Sequence, residues 1–197
     1  MVAAAGLLLT GGAARRLGRD KAALELGGER LGDRAARVLA EVCAPTLEVG
    51  PGRTDLEHVV EDPPGSGPLA AVATGGRALV ARGHAGPALI LAVDMPLVEE
   101  ALLRFLADFP GETTVVPFVE GRAQPLCARY SPAALATAAR LTETGERSMR
   151  SLLEAIPDVQ WAGPRMWGGG VDASAFLDID TAEDLERLRA LRPDVER

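Results

Sequence analysis

Between Leu7 and Lys21 the chain reads LLLTGGAARRLGRDK. An apolar run stops at two glycines, and Arg15, Arg16, Arg19 and Lys21 follow. Gly11 and Gly12 can turn main-chain N–H groups toward an anion. Arg16 and Lys21 can reach its oxygens, the arginine as a planar fork and the lysine as a point charge. These are the parts of a phosphate cradle, although a surface loop of solvated charges would use the same residue types. The spacing is not that of a Walker A loop, because five residues separate Gly12 from Gly18 and Arg19-Asp20 follows. Nor is it G-x-G-x-x-G.

Three further stretches carry candidate chemistry. Asp94 ends the apolar run PALILAV and precedes Met-Pro. A carboxylate at the mouth of a central strand can hold a hard cation such as Mg²⁺, and an aspartate there can equally cap the next turn. EDPPGSGPLAAV supplies Asp62, Gly65, Gly67 and Pro68. Its glycines, placed before a helix, would let a planar base approach the backbone. FLDIDTAEDLERL supplies Asp178 and Asp180, which face the same way if extended and would suit metal or substrate as well as helix capping. The two histidines, His58 and His84, form no triad with a serine or cysteine. The set therefore points to phosphoryl or nucleotidyl transfer, in which the attacking phosphate is already an anion. Positioning and charge neutralisation then supply most of the catalysis.

The elements around these residues alternate. Strands are predicted at Ala3–Thr10, Thr46–Val49, His58–Val60, Ala88–Val93, Thr113–Val116, Leu126–Tyr130 and Val159–Ala162. Helices are predicted at Leu31–Cys43, Leu69–Ala81, Glu99–Phe109, Ala133–Leu141, Arg147–Ala155 and Thr181–Leu191. A short strand-like or irregular piece is expected around Ala23–Leu26, and a flexible loop at Gly168–Gly170. Thr181 sits at an N-cap position, with Glu183 and Asp184 in the first turn. This alternation means an α/β sandwich with a mostly parallel sheet. Ligands in such sheets bind at the carboxyl ends of strands near a topological switch point, so the first loop, DMP and EDPPGSGP are expected at one edge.

Composition narrows the class. The chain has 197 residues, 47% of them hydrophobic, which suits one sizeable core and disfavours disorder. The net charge of -7 leaves no basic surplus for a nucleic-acid partner. Cys43 and Cys127 have no metal-ligand spacing and read as free buried thiols in a reducing compartment. Glycines and arginines interrupt the apolar start, and no stretch approaches the roughly 18 apolar residues of a membrane span. A soluble cytoplasmic protein is expected.

Taken together, the motifs resemble the molybdenum cofactor nucleotidyltransferases, above all the guanylyltransferase (MobA) family. LLLTGGAARRLGRDKA resembles its L-A-G-G-x-x-x-R-M-G-x-D-K signature, GPLAAV its G-P-L-a-G segment, and VDMPLV its metal-binding D-x-P segment. TGERSMRSLL and LDIDTAEDLERL resemble its later pieces, and all come in the family's order over nearly the whole chain. The resemblance implies a three-layer Rossmann-like sheet of the glycosyltransferase-A type, as one domain over residues 1–197. It implies GTP as substrate, Mg²⁺ as cofactor and molybdopterin as the acceptor of GMP, with pyrophosphate released. Nucleotide contacts are implied at Leu9, Thr10, Gly11, Gly12, Lys21, Asp62, Gly67 and Asp94, catalytic roles at Arg16, Lys21 and Asp94, and metal ligation at Asp94. The pterin side falls on Asp178 and Asp180. A monomer is expected, with room for transient contacts with cofactor-delivery or acceptor proteins.

The chain departs from the pattern at four places. Thr10 stands where alanine is usual, and Leu17 replaces methionine. N-x-N becomes D-x-D at Asp178–Asp180, which also resembles the cytidylyltransferase branch for the same cofactor. No match is found for an asparagine expected after the second strand, where EVGPGR stands instead. A cytidylyltransferase and a non-catalytic nucleotide-binding relative are the alternatives.

Overall fold

The structure, a computed structural model, describes residues 3–11, 20–167 and 173–191. The chain opens with β1 (Ala5–Leu9). A 3₁₀ turn (Lys21–Ala23) leads to the hairpin β2 (Glu25–Leu26) and β3 (Glu29–Arg30), then to α1 (Leu31–Ala40). β4 (Thr46–Val49) and β5 (His58–Val59) precede α2 (Pro68–Ala81). β6 (Ala88–Ala92) is followed by α3 (Glu100–Ala107), β7 (Thr114–Val119), β8 (Arg122–Ala123) and β9 (Cys127–Tyr130). After these come α4 (Pro132–Glu143), α5 (Met149–Ala155), β10 (Val159–Ala162), a second 3₁₀ turn (Ala173–Phe176) and α6 (Ala182–Leu191).

The main sheet runs β10-β7-β9-β6-β1-β4-β5, with β8 paired to β7. β9 is antiparallel to β6 and β7, and the other pairings along this path are parallel. β1 is buried at all five positions, as an apolar strand covered on both faces must be. Leu7 and Leu9 enter one core, with Leu69 and Leu79 of α2, Leu135 of α4 and Leu152 of α5. Leu8 enters the other, with Leu31 and Leu39 of α1, Leu102 and Leu106 of α3, and Leu188 of α6. The result is the expected α/β sandwich of three layers, Rossmann-like and mostly parallel.

Local signals explain the helix positions. Ser131 caps α4 by accepting from the Ala134 N–H, and Pro132 follows at the first helical position. Gly67, with φ at 98°, precedes Pro68 at the start of α2. Gly75 lets α2 lie close to the sheet, because a Cβ there would stand 2.6 Å from a Leu7 methyl and 2.9 Å from a Val49 methyl.

The observed β7 is longer than predicted. The predicted strand stopped at Val116, whereas the Pro117 carbonyl accepts from Gln124 N and the chain continues into the β7–β8 hairpin. Burial pushes both cysteine thiols up to about 12, so they are inert core groups. Among the described residues no helix is long and apolar enough to cross a membrane. Gly168–Gly170 lies outside the described residues.

β1 is flanked by β4 and β5 on one side and by β6 on the other. The chain therefore leaves in opposite directions from the β1/β6 pair, and that is the switch point. Val93 N donates to Leu9 O, so the exits of both strands stand side by side.

Candidate active site

Lys21 is brought to the mouth of this crevice by the 3₁₀ turn it opens. Asp20 caps that turn by accepting from Ala22 N at 3.1 Å. The Lys21 ammonium donates to Asp94 Oδ2 at 3.0 Å and to Asp180 Oδ1 at 2.5 Å. Side-chain exposures are 15% for Lys21, 25% for Asp94 and 46% for Asp180, so the cluster is open on the Asp180 side. Burial pulls the Lys21 pKa down, but hydrogen bonds and charge from Asp180 and Asp94 outweigh it. The net shift is upward, and the ammonium stays charged at neutral pH.

Asp94 and Asp180 are fixed from the main chain. Ile179 N donates to Asp94 O at 2.9 Å, which ties the late segment to the end of β6. Ile179 is buried between the exposed Asp178 and the half-buried Asp180. Downstream, Thr181 and Asp184 cap α6 reciprocally: Asp184 Oδ2 accepts from Thr181 N at 2.8 Å, and Thr181 Oγ1 accepts from Asp184 N at 3.2 Å. Arg34 Nε donates to Pro96 O at 3.0 Å and braces the Asp94-Met95-Pro96 turn from α1.

Asp94 Oδ1 is buried and has no hydrogen-bond partner among the described residues. A carboxylate oxygen left without a donor beside a second carboxylate suits a hard cation. Among the described residues no group of three His, Cys, Asp or Glu side chains gathers. Asp94 and Asp180 would thus hold Mg²⁺ as a pair, with phosphate and water oxygens completing its shell, as that ion prefers.

The remaining predicted residues are placed as follows. Leu9 is buried in the core, so only its main chain is available to a nucleotide. Thr10 is buried, and its hydroxyl donates to Glu48 Oε1 at 2.5 Å. Gly11 follows at the crevice; a Cβ there would stand 3.4 Å from Glu61 Oε1. Gly12 and Arg16 lie outside the described residues. Asp62 is exposed and lines a cavity of about 240 Å³ with Arg77, Thr142 and Arg147, between α2 and the α4–α5 connection. The structure thus brings Lys21, Asp94 and Asp180 into contact, with Thr10 and Gly11 at the neighbouring strand exit.

Two acids escaped the sequence reading. Glu48 is 0% exposed. Besides Thr10, its carboxylate accepts from the N–H groups of Gly52, Arg53 and Thr54 and from the Thr54 hydroxyl, at 2.8–2.9 Å. Burial pushes its pKa up, but these donors outweigh burial and hold it below the usual carboxylate range. Glu61 is buried beside Gly11 and accepts from Gly65 N at 3.0 Å. In the sequence Glu48 looks like the outward residue of an alternating strand, so nothing local marks it.

Comparison with known proteins gives a consistent result. Residues 6–159 match the family model of the MobA-like NTP transferase domain. A protein of Chloroflexus aggregans named probable molybdenum cofactor guanylyltransferase is 34% identical over 94% of this chain and 93% of its own. One of the same name from Opitutus terrae is 42% identical over 78% of this chain and 79% of its own. The fold is shared with the molybdopterin-guanine dinucleotide biosynthesis protein A of Archaeoglobus fulgidus, at a TM-score of 0.77 and 23% identity over 96% and 98% of the two chains. It is also shared with the 2-C-methyl-D-erythritol 4-phosphate cytidylyltransferase of Thermus thermophilus, at 0.66 and 18% over 95% and 98%.

Proposed function

Because the chain belongs to the MobA family of the MobA-like NTP transferases and is a nucleotidyltransferase, we propose that it transfers GMP from GTP to the terminal phosphate of molybdopterin. The Lys21–Asp94–Asp180 cluster at the switch point carries this reading. It offers one ammonium and two carboxylates where a triphosphate and its cation would meet, and no side-chain nucleophile.

The acceptor phosphate oxygen attacks the α-phosphorus in line. The new P–O bond forms as the bond to the β-phosphate oxygen breaks, and pyrophosphate leaves with the electron pair. An acceptor phosphate ionised at neutral pH needs no general base. Gly11 and Gly12 hold triphosphate oxygens through their N–H groups, and Arg16 supplies a fork. Lys21 has three N–H donors, and its two carboxylate partners use two of them. The third, without an acceptor among the described residues, would reach a phosphate oxygen and neutralise the leaving pyrophosphate. Mg²⁺ held by Asp94 and Asp180 would supply charge neutralisation at the α-phosphate. Asp62 and Gly67 serve the base side, and Asp178 the acceptor side. Both substrates are water-soluble, which suits a cytoplasmic enzyme working as one domain.

Asp180 favours a second reading. Its carboxylate sits on Lys21 rather than presenting an amide to a pterin, as D-x-D would in the cytidylyl branch. The likeness to a cytidylyltransferase structure leaves the base open on grounds of fold. Calorimetry with GTP, CTP and ATP, each with Mg²⁺, separates the two. GTP alone binding, with pyrophosphate released only when molybdopterin is present, is the expected result. Preference for CTP moves the chain to the cytidylyl reading, and binding without pyrophosphate release makes it a nucleotide binder.

A further inference from the structure

The segment proposed to hold the triphosphate leaves β1 at Thr10 and returns at Asp20, and both ends connect to Glu48. The connection at the first end is direct, through the Thr10 hydroxyl at 2.5 Å. The connection at the second end runs through Arg53, whose N–H is held by both Glu48 oxygens at 2.8 and 2.9 Å. The Arg53 guanidinium then meets Asp20 Oδ2 through Nε at 2.7 Å. Asp20 caps the turn that carries Lys21. The GPGR turn after β4 is shaped for this: a Cβ on Gly50 would overlap Thr10 Oγ1, and Gly52 has φ at 76°. The carboxylate is fully buried and accepts from five donors. An amide could not replace it, because its NH₂ would face donors.

We propose that Glu48 is the positioning residue of the nucleotide cleft, a single buried carboxylate that clasps both ends of the phosphate-holding segment. Through Arg53 and Asp20 it sets where the Lys21 ammonium stands. Its effect on the ligand rests on the GTP reading above; the clasp itself is a property of the chain.

The test uses the full chain, with GTP·Mg²⁺ titrated into wild type, Glu48→Gln, Thr10→Val, Arg53→Gln and the Thr10→Val/Arg53→Gln double variant, below the melting point of each. Amide hydrogen exchange is measured on the same samples without nucleotide. Glu48→Gln is expected to raise the GTP dissociation constant roughly tenfold or more. It should speed exchange at the Thr10–Gly11 end and at the Asp20–Leu24 end together. Thr10→Val should loosen the first end alone, and Arg53→Gln the second alone. A merely structural Glu48 would lower the melting temperature and leave the dissociation constant of the folded variant unchanged; that result overturns the proposal. If wild type binds no GTP, the functional reading fails, and exchange then decides the clasp by itself. Faster exchange confined to residues 50–54 refutes it. If Glu48→Gln does not fold, the double variant takes its place, and GTP binding equal to wild type in it is the refuting result.

Discussion

Two charged centres flank the exit of β1, and they are built on opposite principles. Around Glu48, one fully buried charge meets five donors from the Thr10 side chain and the 50–54 turn. Around Lys21, two carboxylates share one ammonium, the cluster is partly open, and Asp94 Oδ1 has no donor among the described residues. A saturated buried charge has nothing left to offer a ligand and gives rigidity instead. An under-saturated one keeps unmet demand for a cation, which a folded chain tolerates where chemistry uses it. The two should therefore separate under mutation: the Lys21 cluster in rate, the Glu48 centre in stability and nucleotide affinity.

The largest effect tests the open centre. Asp94→Asn is expected to lower pyrophosphate release with GTP, Mg²⁺ and molybdopterin by about three orders of magnitude. The melting temperature should change little, because the amide oxygen can keep the Lys21 hydrogen bond and Lys21 keeps its ion pair with Asp180. A large fall in melting temperature with turnover intact would reverse the contrast. Lys21→Met comes next, at about two to three orders in turnover. It leaves two carboxylates with no ammonium between them, so tighter Mg²⁺ binding without nucleotide is expected, measured by calorimetry. Unchanged Mg²⁺ affinity would mean that the ammonium does not stand in for the ion.

The saturated centre gives the next effects. Glu48→Gln is expected to cost about 3 kcal/mol of stability in urea unfolding, since buried donors lose an ionic acceptor. The pH dependence follows from the sign of its shift. The Glu48 pKa is lower folded than unfolded, so its stabilisation is complete above the unfolded value. It is lost as pH falls through the folded value. Wild type should therefore weaken on acidification more steeply than Glu48→Gln, and equal slopes would show that the carboxylate is not the group responsible. The smallest effect is Thr181→Ala, which removes one half of the α6 cap and is expected to cost about 1 kcal/mol.

The alternation of strands and helices was legible because apolar runs and breakers are local signals. Lys21 and Asp94 were legible as motif positions at strand exits. Their contact was not, and neither was the Lys21–Asp180 pair, which joins residues 159 apart. Spacing along the chain carries no distance across a fold. Glu48 was hidden for a sharper reason: in TLEV an acid at an alternating position reads as solvated, and only the returning 50–54 turn shows that donors await it. Where an asparagine was sought after the second strand, the turn is held by that acid from inside. The end of β7 was missed in the other direction: a strand ending at Val116 was predicted, whereas it runs through Pro117 to Val119 and into a hairpin.

The bond from Ile179 N to Asp94 O gives the protein a timetable. Among the described residues the strands of the sheet all lie within residues 5–162, and Asp180 comes 86 positions after Asp94. At bacterial-to-eukaryotic synthesis rates of about 5–20 residues per second, that gap lasts roughly 4–17 s. During that interval a growing chain could possess its crevice and its lysine while lacking half of the acidic pair. The acidic pair proposed to hold the cation is therefore completed only after Asp180 has been synthesised, well after Lys21 and Asp94.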